Sequence, residues 1–256
     1  MDFSKLTLAL GFLVSGFLLT GCDATANTDK ASTTSVSTNT QEGPGNTELN
    51  GQFEYELRSE EASVQDDRFP FGYWEVTRVY PEIVSASHPS AANAANQRID
   101  ALVHQARCED MGDEAFHARE IYLGNGILSM AYEAVWTCAS MPSPESETGF
   151  LNLDLVAGSE LDLEAQFRDR DSYESFQERA VEALNHELEA QMAGKSETCP
   201  EATSITGFHF DGKNLWAALQ SGEEGTATCS VKVSFAMESL QEQLKPISPL
   251  RLEGQP

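Results

Sequence analysis

Four cysteines, five histidines and a surplus of carboxylates are the side chains of this sequence with chemistry to offer. Cys108, Cys138, Cys199 and Cys229 recur at a fixed interval: Cys138 follows Cys108 by 30 residues and Cys229 follows Cys199 by 30. In each case the first cysteine follows a helical pattern and the second falls in or at the end of a strand pattern. Four cysteines allow three pairings, and the spacing favours Cys108–Cys138 with Cys199–Cys229 as disulfides in an oxidising compartment. A zinc centre would need a CxxC pair or a Cys/His cluster, and neither is present. His88, His104, His117, His186 and His209 fall in no HExxH or other metal-ligand spacing, so no metal and no cofactor is expected. His186 follows Glu182 by one helical turn and reads as part of a solvated face. His209, between Phe208 and Phe210, reads as one side of a strand rather than as a base. A Gly-x-Ser-x-Gly elbow is absent. The acid pairs Asp169/Asp171 and Glu223/Glu224 are of the type that serves a glycosidase or binds calcium, but the calcium loop with its central Gly and terminal Glu is missing. The expectation is a non-enzyme. A hydrolase of cell-wall glycan is the alternative, because glycosidase carboxylates meet in space rather than in sequence.

The fifth cysteine belongs to a different chemistry. Leu6 to Leu19 is a 14-residue apolar run without charge, preceded by Lys5 and ended by Leu19-Thr20-Gly21-Cys22. A charged start, a short apolar core and small residues at the cut mark a secretory signal. The run is short for a membrane span, which takes ~20 apolar residues. Leu-Thr-Gly-Cys looks like a lipobox, at which a signal peptidase cuts before a diacylglyceryl-modified cysteine. The expected anchor is therefore lipid on Cys22, with residues 1–21 removed and the membrane engaged through that anchor only. Asp23, directly after the cysteine, favours the inner membrane, the domain facing the periplasm.

Residues 23–50 are rich in Thr, Ser, Asn, Gly and Ala and hold no aromatic side chain. Such composition reads as a flexible tether. Residues 51–256 then form the globular part. The net charge is −25. An acidic surface of this size argues against nucleic acid, whose phosphates need Lys and Arg, and against anionic lipid headgroups. It suits a cationic protein partner, attracted over a range that salt shortens.

The elements that position these side chains alternate in period. Phe53-Glu54-Tyr55-Glu56-Leu57 reads as a strand, and Tyr73 to Tyr80 as a second, ended by Pro81. Ala92, Ala95, Ile99, Leu102, Val103 and Ala106 recur at helical spacing over Ala91 to Cys108, with Ser90 as N-cap. Gly124-Asn125-Gly126 turns a hairpin into an alternating run that ends at Cys138. Leu151, Leu153 and Leu155 alternate with Asn152 and Asp154, a strand with one wet face. The pattern then repeats. Asp171 to Met192 is a helix with Tyr173, Phe176, Ala180, Leu184, Leu188 and Met192 in one stripe, a capping box at Asp171/Glu174 and a stop at Gly194. A hairpin turns at Asp211-Gly212, Cys229 to Phe235 is a strand, and a short helix spans Glu238 to Leu244. Trp74, Trp136 and Trp216 fall in strand patterns and read as core. The fold class is α+β: two strand-helix-hairpin-strand halves, about 51–148 and 149–256, with helices packed on antiparallel sheet.

The ordered features from Tyr80 to Leu250 resemble the extracytoplasmic domain shared by RsiV-type anti-sigma factors and the accessory region of some peptidoglycan deacetylases. The resemblance rests on Tyr80-Pro81-Glu82-Ile83, on Asn96 and Ile99, and on Ile127-Leu128-Ser129-Met130. It continues through Leu151-Asn152-Leu153-Asp154 with Gly158, Leu161 and Leu163, and Phe208-His209-Phe210-Asp211-Gly212-Lys213-Asn214-Leu215. Val231 to Phe235, Leu240, Leu244 and Pro246 close it. Where such domains carry a Gly-Gly-Ala-His-like stretch, this chain has Ala139-Ser140-Met141-Pro142. RsiV-type domains bind lysozyme, so the resemblance implies a binding module whose partner is a basic protein such as lysozyme; a structural lipoprotein that joins an envelope assembly is the further alternative.

Overall fold

A computed structural model of the chain describes residues 52–65, 73–109, 111–194, 199–221 and 229–251. The apolar run, Cys22, Asp23, the tether and the Glu223/Glu224 pair lie outside the described residues. Among the described residues no helix is long and apolar enough to cross a membrane. They form a mixed α+β domain, mostly sheet, with nine strands in two sheets and two α-helices.

The first sheet runs β1 (Glu54–Gln65), β2 (Tyr73–Val84), β3 (Gly112–Gly124), β4 (Ile127–Cys138), β5 (Glu145–Asp154) and β6 (Ser159–Glu160), in that spatial order. It is not wholly antiparallel. β2 and β3 pair in parallel over Val76–Val79 and Glu114–His117, because α1 (Pro89–Val103) carries the chain back between them, the long connection that a parallel pair requires. α1 buries Ala92, Ala95, Ile99 and Val103 against this sheet, in a core with Phe116, Met130 and Leu153. It starts at Pro89 rather than at Ala91. The cap is His88, whose side chain makes no capping bond, and Pro89 supplies a first-turn residue with no N–H to satisfy.

Pro81 does not end β2. Asn96, on α1, accepts a hydrogen bond from the Ile83 N–H (2.7 Å) and donates to its carbonyl (2.8 Å). The polar groups of Ile83 therefore turn away from β1. Those of Pro81, two residues back, turn the same way. The pairing of β2 with β3 ends at Val79 and His117, so the donor that proline lacks is missing where no strand is paired to receive it.

The second sheet is β7 (Gly207–Phe210), β8 (Asn214–Ser221) and β9 (Cys229–Ala236), all antiparallel. α2 (Arg170–Met192) lies against it, burying Phe176, Ala180, Leu184 and Leu188. Phe176 meets Phe235 edge-on at 5.2 Å between ring centres. The cap of α2 is Asp169, accepting from the Ser172 N–H at 2.8 Å, rather than Asp171 with Glu174; Glu174 instead pairs with Arg170 at 2.6 Å. Gly194, at φ +81°, follows the helix. After β9 the chain makes a 3-10 turn, Met237–Ser239, where a short helix was expected to reach Leu244. Met237, Leu240, Gln241 and Leu244 are all buried at the spacing of one helical face. Leu244, however, bridges to Phe167, with the Arg168 N–H donating to the Gln243 carbonyl and the Lys245 N–H to the Gln166 carbonyl, which draws the end of the segment out of a helix. β5 and β6 complete the first sheet, so the boundary between the sheets falls after residue 160 rather than near 149.

Candidate functional site

The two sheets meet along β7. This strand pairs with β8 on one edge only, which leaves the Phe208 carbonyl and the Phe210 N–H on the other. Ser129 on β4 and Asn152 on β5 sit directly opposite each other in the first sheet and meet that edge. The Asn152 Nδ2 donates to the Phe208 carbonyl (2.8 Å), and the Ser129 hydroxyl donates to the Asn152 Oδ1 (2.5 Å). The Ser129 Oγ in turn accepts from the Phe210 N–H (2.8 Å). Two side chains thus imitate the donor-acceptor spacing of a third strand. Asn152 is accordingly buried and not on a wet face, because the second sheet covers it.

His209 lies between the two captured residues and is 1% exposed. Its Nε2 donates to the Glu120 carbonyl at 2.5 Å. Its Nδ1 makes no hydrogen bond among the described residues and stands 3.7 Å from the Glu120 carboxylate. Burial holds the imidazole below its ordinary pKa, against the opposite pull of the Glu120 carbonyl, the Glu120 carboxylate and Asp211. Buried and bonded to the Glu120 carbonyl, the ring is a fastening in the seam. Glu120 reaches it because β3 carries a bulge there: the register shifts between Arg119 and Ile121, and Glu120 has φ +27°. A non-glycine residue in that region costs roughly 1–3 kcal/mol and persists only where its surroundings over-determine it. Here those surroundings are His209 on the Glu120 carbonyl and Lys232, 2.8 Å from its carboxylate.

Asp211 organises the β7–β8 turn. Its carboxylate accepts from the backbone N–H groups of Lys213 and Asn214 and from the indole N–H of Trp216 (2.8 Å). Partial burial alone would raise its pKa, but the bonds from Trp216 and Asn214 hold it below the usual value. Gly212, at φ +89°, passes so close to Tyr122 that an added Cβ would lie 2.7 Å from the ring. Burial and the nearby Asp211 push the Tyr122 hydroxyl up to about 12. Trp216 is not core: it is half-buried, with the Lys232 ammonium 5.0 Å above its ring. Trp74 and Trp136 are half-buried as well.

A second charged network ties α1 to the first sheet. Arg107 is 3% exposed in its side chain and pairs with Glu114 at 3.1 Å and Glu147 at 3.8 Å, over the faces of Phe116 and Trp136. The next residue, Cys108, is bonded to Cys138, and Cys199 is bonded to Cys229. His104 ends α1 and pairs with Glu60 at 3.2 Å. Burial alone would raise Glu60, but hydrogen bonds from Tyr80 and His104 hold it below its ordinary range.

The acid pairs singled out as catalytic candidates are not brought together. Asp169 is a helix cap and Asp171 points to solvent from the first turn. Glu182 and His186 are exposed on α2, and His88 stacks on Phe53. Among the described residues no three His, Cys, Asp or Glu side chains are placed to hold a metal ion. What the surface does present is acid. Asp171, Glu174, Glu178, Glu182 and Glu189 lie exposed along α2, and Glu54, Glu56 and Glu61 are exposed on β1. The sequence points to Ser129 only as part of Ile127-Leu128-Ser129-Met130, and not to Glu120, Arg107 or Lys232. The one available signal was Asn152, a polar residue between two core leucines.

No family model matches the chain, and no curated protein matches it. Solved structures do. A member of the DUF3298 family from Bacteroides fragilis matches with a TM-score of 0.52 at 14% identity, over 80% of this chain and 99% of that one. A DUF3298 family protein from Pseudomonas aeruginosa matches with a TM-score of 0.47 at 12% identity, over 76% of this chain and 95% of that one. At such identity the likeness to the Bacteroides protein is one of fold. The two disulfides fit a domain that folds outside the cytoplasm.

Proposed function

We propose that this chain is a lipid-anchored binding protein of the bacterial envelope, held through Cys22, with a globular domain that binds a cationic protein of the lysozyme type. It is a binding module and not a catalyst. The observation that carries the reading is the net charge of −25, with carboxylates left exposed along α2 and β1. The resemblance to RsiV-type domains supports the choice of partner, and the Leu19-Thr20-Gly21-Cys22 sequence after an apolar run supports the anchor. The two disulfides support the oxidising side of the membrane.

The test is titration of the full chain with a basic lysozyme across a salt series. Attraction by charge alone fades as the screening length falls to ~8 Å at ~0.15 M salt. Binding that survives that salt is the expected result, and its disappearance overturns the partner. Mass spectrometry of the chain expressed in a bacterium tests the anchor, since it must show Cys22 as the acylated N-terminus.

A further inference from the structure

The same Asn96 contact that explains Pro81 also sets the phase of β1. Tyr55 pairs with Ile83, and because Ile83 turns its polar groups away from β1, Tyr55 turns its own away from β2. Tyr55, Leu57, Ser59 and Glu61 therefore present their N–H and C=O groups outward. β1 is the outermost strand of its sheet, and among the described residues none of these backbone groups is bonded. At 12 residues β1 is as long as any strand except β3. The other edges are unlike it. That of β7 is filled by Ser129 and Asn152, β9 lies beside α2, and β5, covered by β6 only at Leu153 and Asp154, keeps an open stretch that is shorter than β1.

We infer that the outer edge of β1 receives an extended, cationic segment of a partner protein as an added strand. This rests on the cationic-partner reading and places its contact. The side chains choose the occupant. Arg58 is engaged by Glu82, and Glu60 by Tyr80 and His104, which leaves Glu54, Glu56 and Glu61 exposed along the strand. A second copy of β1 would bring four glutamates and one arginine against the same set, and that excess of like charge disfavours the pair. A strand with Lys or Arg at alternate positions meets opposite charge and a ready row of donors and acceptors.

The full chain is titrated with a ten-residue peptide of alternating Lys and Val at ~0.15 M salt, with its screening length of ~8 Å. A second peptide has the same sequence and charge but is N-methylated on alternate residues. The expected result is binding of the first peptide with slowed hydrogen exchange at Tyr55, Leu57, Ser59 and Glu61. The methylated peptide, denied its main-chain bonds, binds about a hundredfold more weakly. Equal binding of the two peptides, protection elsewhere, or no binding overturns the inference. A Ser59→Pro chain, which loses an outward donor and none of the bonds to β2, separates this from the partner reading. Lysozyme that binds it as tightly as wild type overturns the edge and leaves the partner standing. A peptide that seats on β1 while lysozyme fails to bind does the reverse.

Discussion

The Ser129–Asn152 pair makes the sharpest demand on stability. Asn152→Leu keeps nearly the same volume and removes two bonds, one from the Phe208 carbonyl and one from the Ser129 hydroxyl. Ser129 is 0% exposed, so its hydroxyl is left unpaired away from water, and the Phe208 carbonyl loses its partner in a half-buried residue. An orphaned buried polar group costs about 1–3 kcal/mol, so two of them destabilise by about 2–6 kcal/mol. Ser129→Ala strands the Phe210 N–H and the Asn152 Oδ1 for a similar cost. Each single substitution breaks the bond between the two, so the double variant loses less than the sum, by ~1 kcal/mol or more. Urea unfolding with the disulfides intact measures the three values, and hydrogen exchange at Phe210 reports whether its amide has opened. A cost under ~0.5 kcal/mol for Asn152→Leu, as for an ordinary surface change, would refute the argument. So would unchanged exchange at Phe210 in Ser129→Ala.

His209 is held neutral by burial, so its folded pKa lies below the unfolded value of about 6.5. Its contribution is complete above that pH and is lost as pH falls below it; His209→Gln should flatten the stability profile below about pH 6.5. Glu60 and Asp211, whose ordinary values lie lower, weaken the fold only at more acidic pH. Replacing either cystine, each closing a 30-residue separation, with two alanines should cost about 3–4 kcal/mol by denaturant unfolding. Arg107→Ala removes one of the two cations on Glu114, which keeps Arg78 at 3.3 Å, and should cost about 1–3 kcal/mol in the same assay. Arg107→Met, which keeps the bulk against Phe116 and Trp136, separates the packing share from the charge.

Local signals were legible where one residue type has one physical use. Asn125 and Gly126 both have positive φ, the geometry that a two-residue hairpin demands. The α2 stripe from Phe176 to Leu188 is buried, and Gly194 lies beyond its end. Signals failed where a distant element decided. Nothing near Asn152 says that β7 will come to lie over it, and nothing near Pro81 says that the pairing with β3 ends at Val79. Asp169 and Asp171 are equally good caps by type, and only the geometry of Ser172 selects between them. The candidate surface was legible as charge but not as shape: the glutamates of β1 are plain in sequence, whereas their place on an outer edge depends on the order of six strands.

The fastening along β7 also has a direction in time. Ser129 and Asn152 face each other only once β4 and β5 have paired, and both strands precede β7 in the chain. Domains emerge and organise from the N-terminal side. In a chain that folds as it crosses a membrane, the receiving surface is therefore complete before the strand it must cover arrives. Reversing that order by circular permutation would leave β7 bare while it waits, with its edge open to other chains. The permuted protein would be expected to reach the same final stability and to lose yield to aggregation on the way.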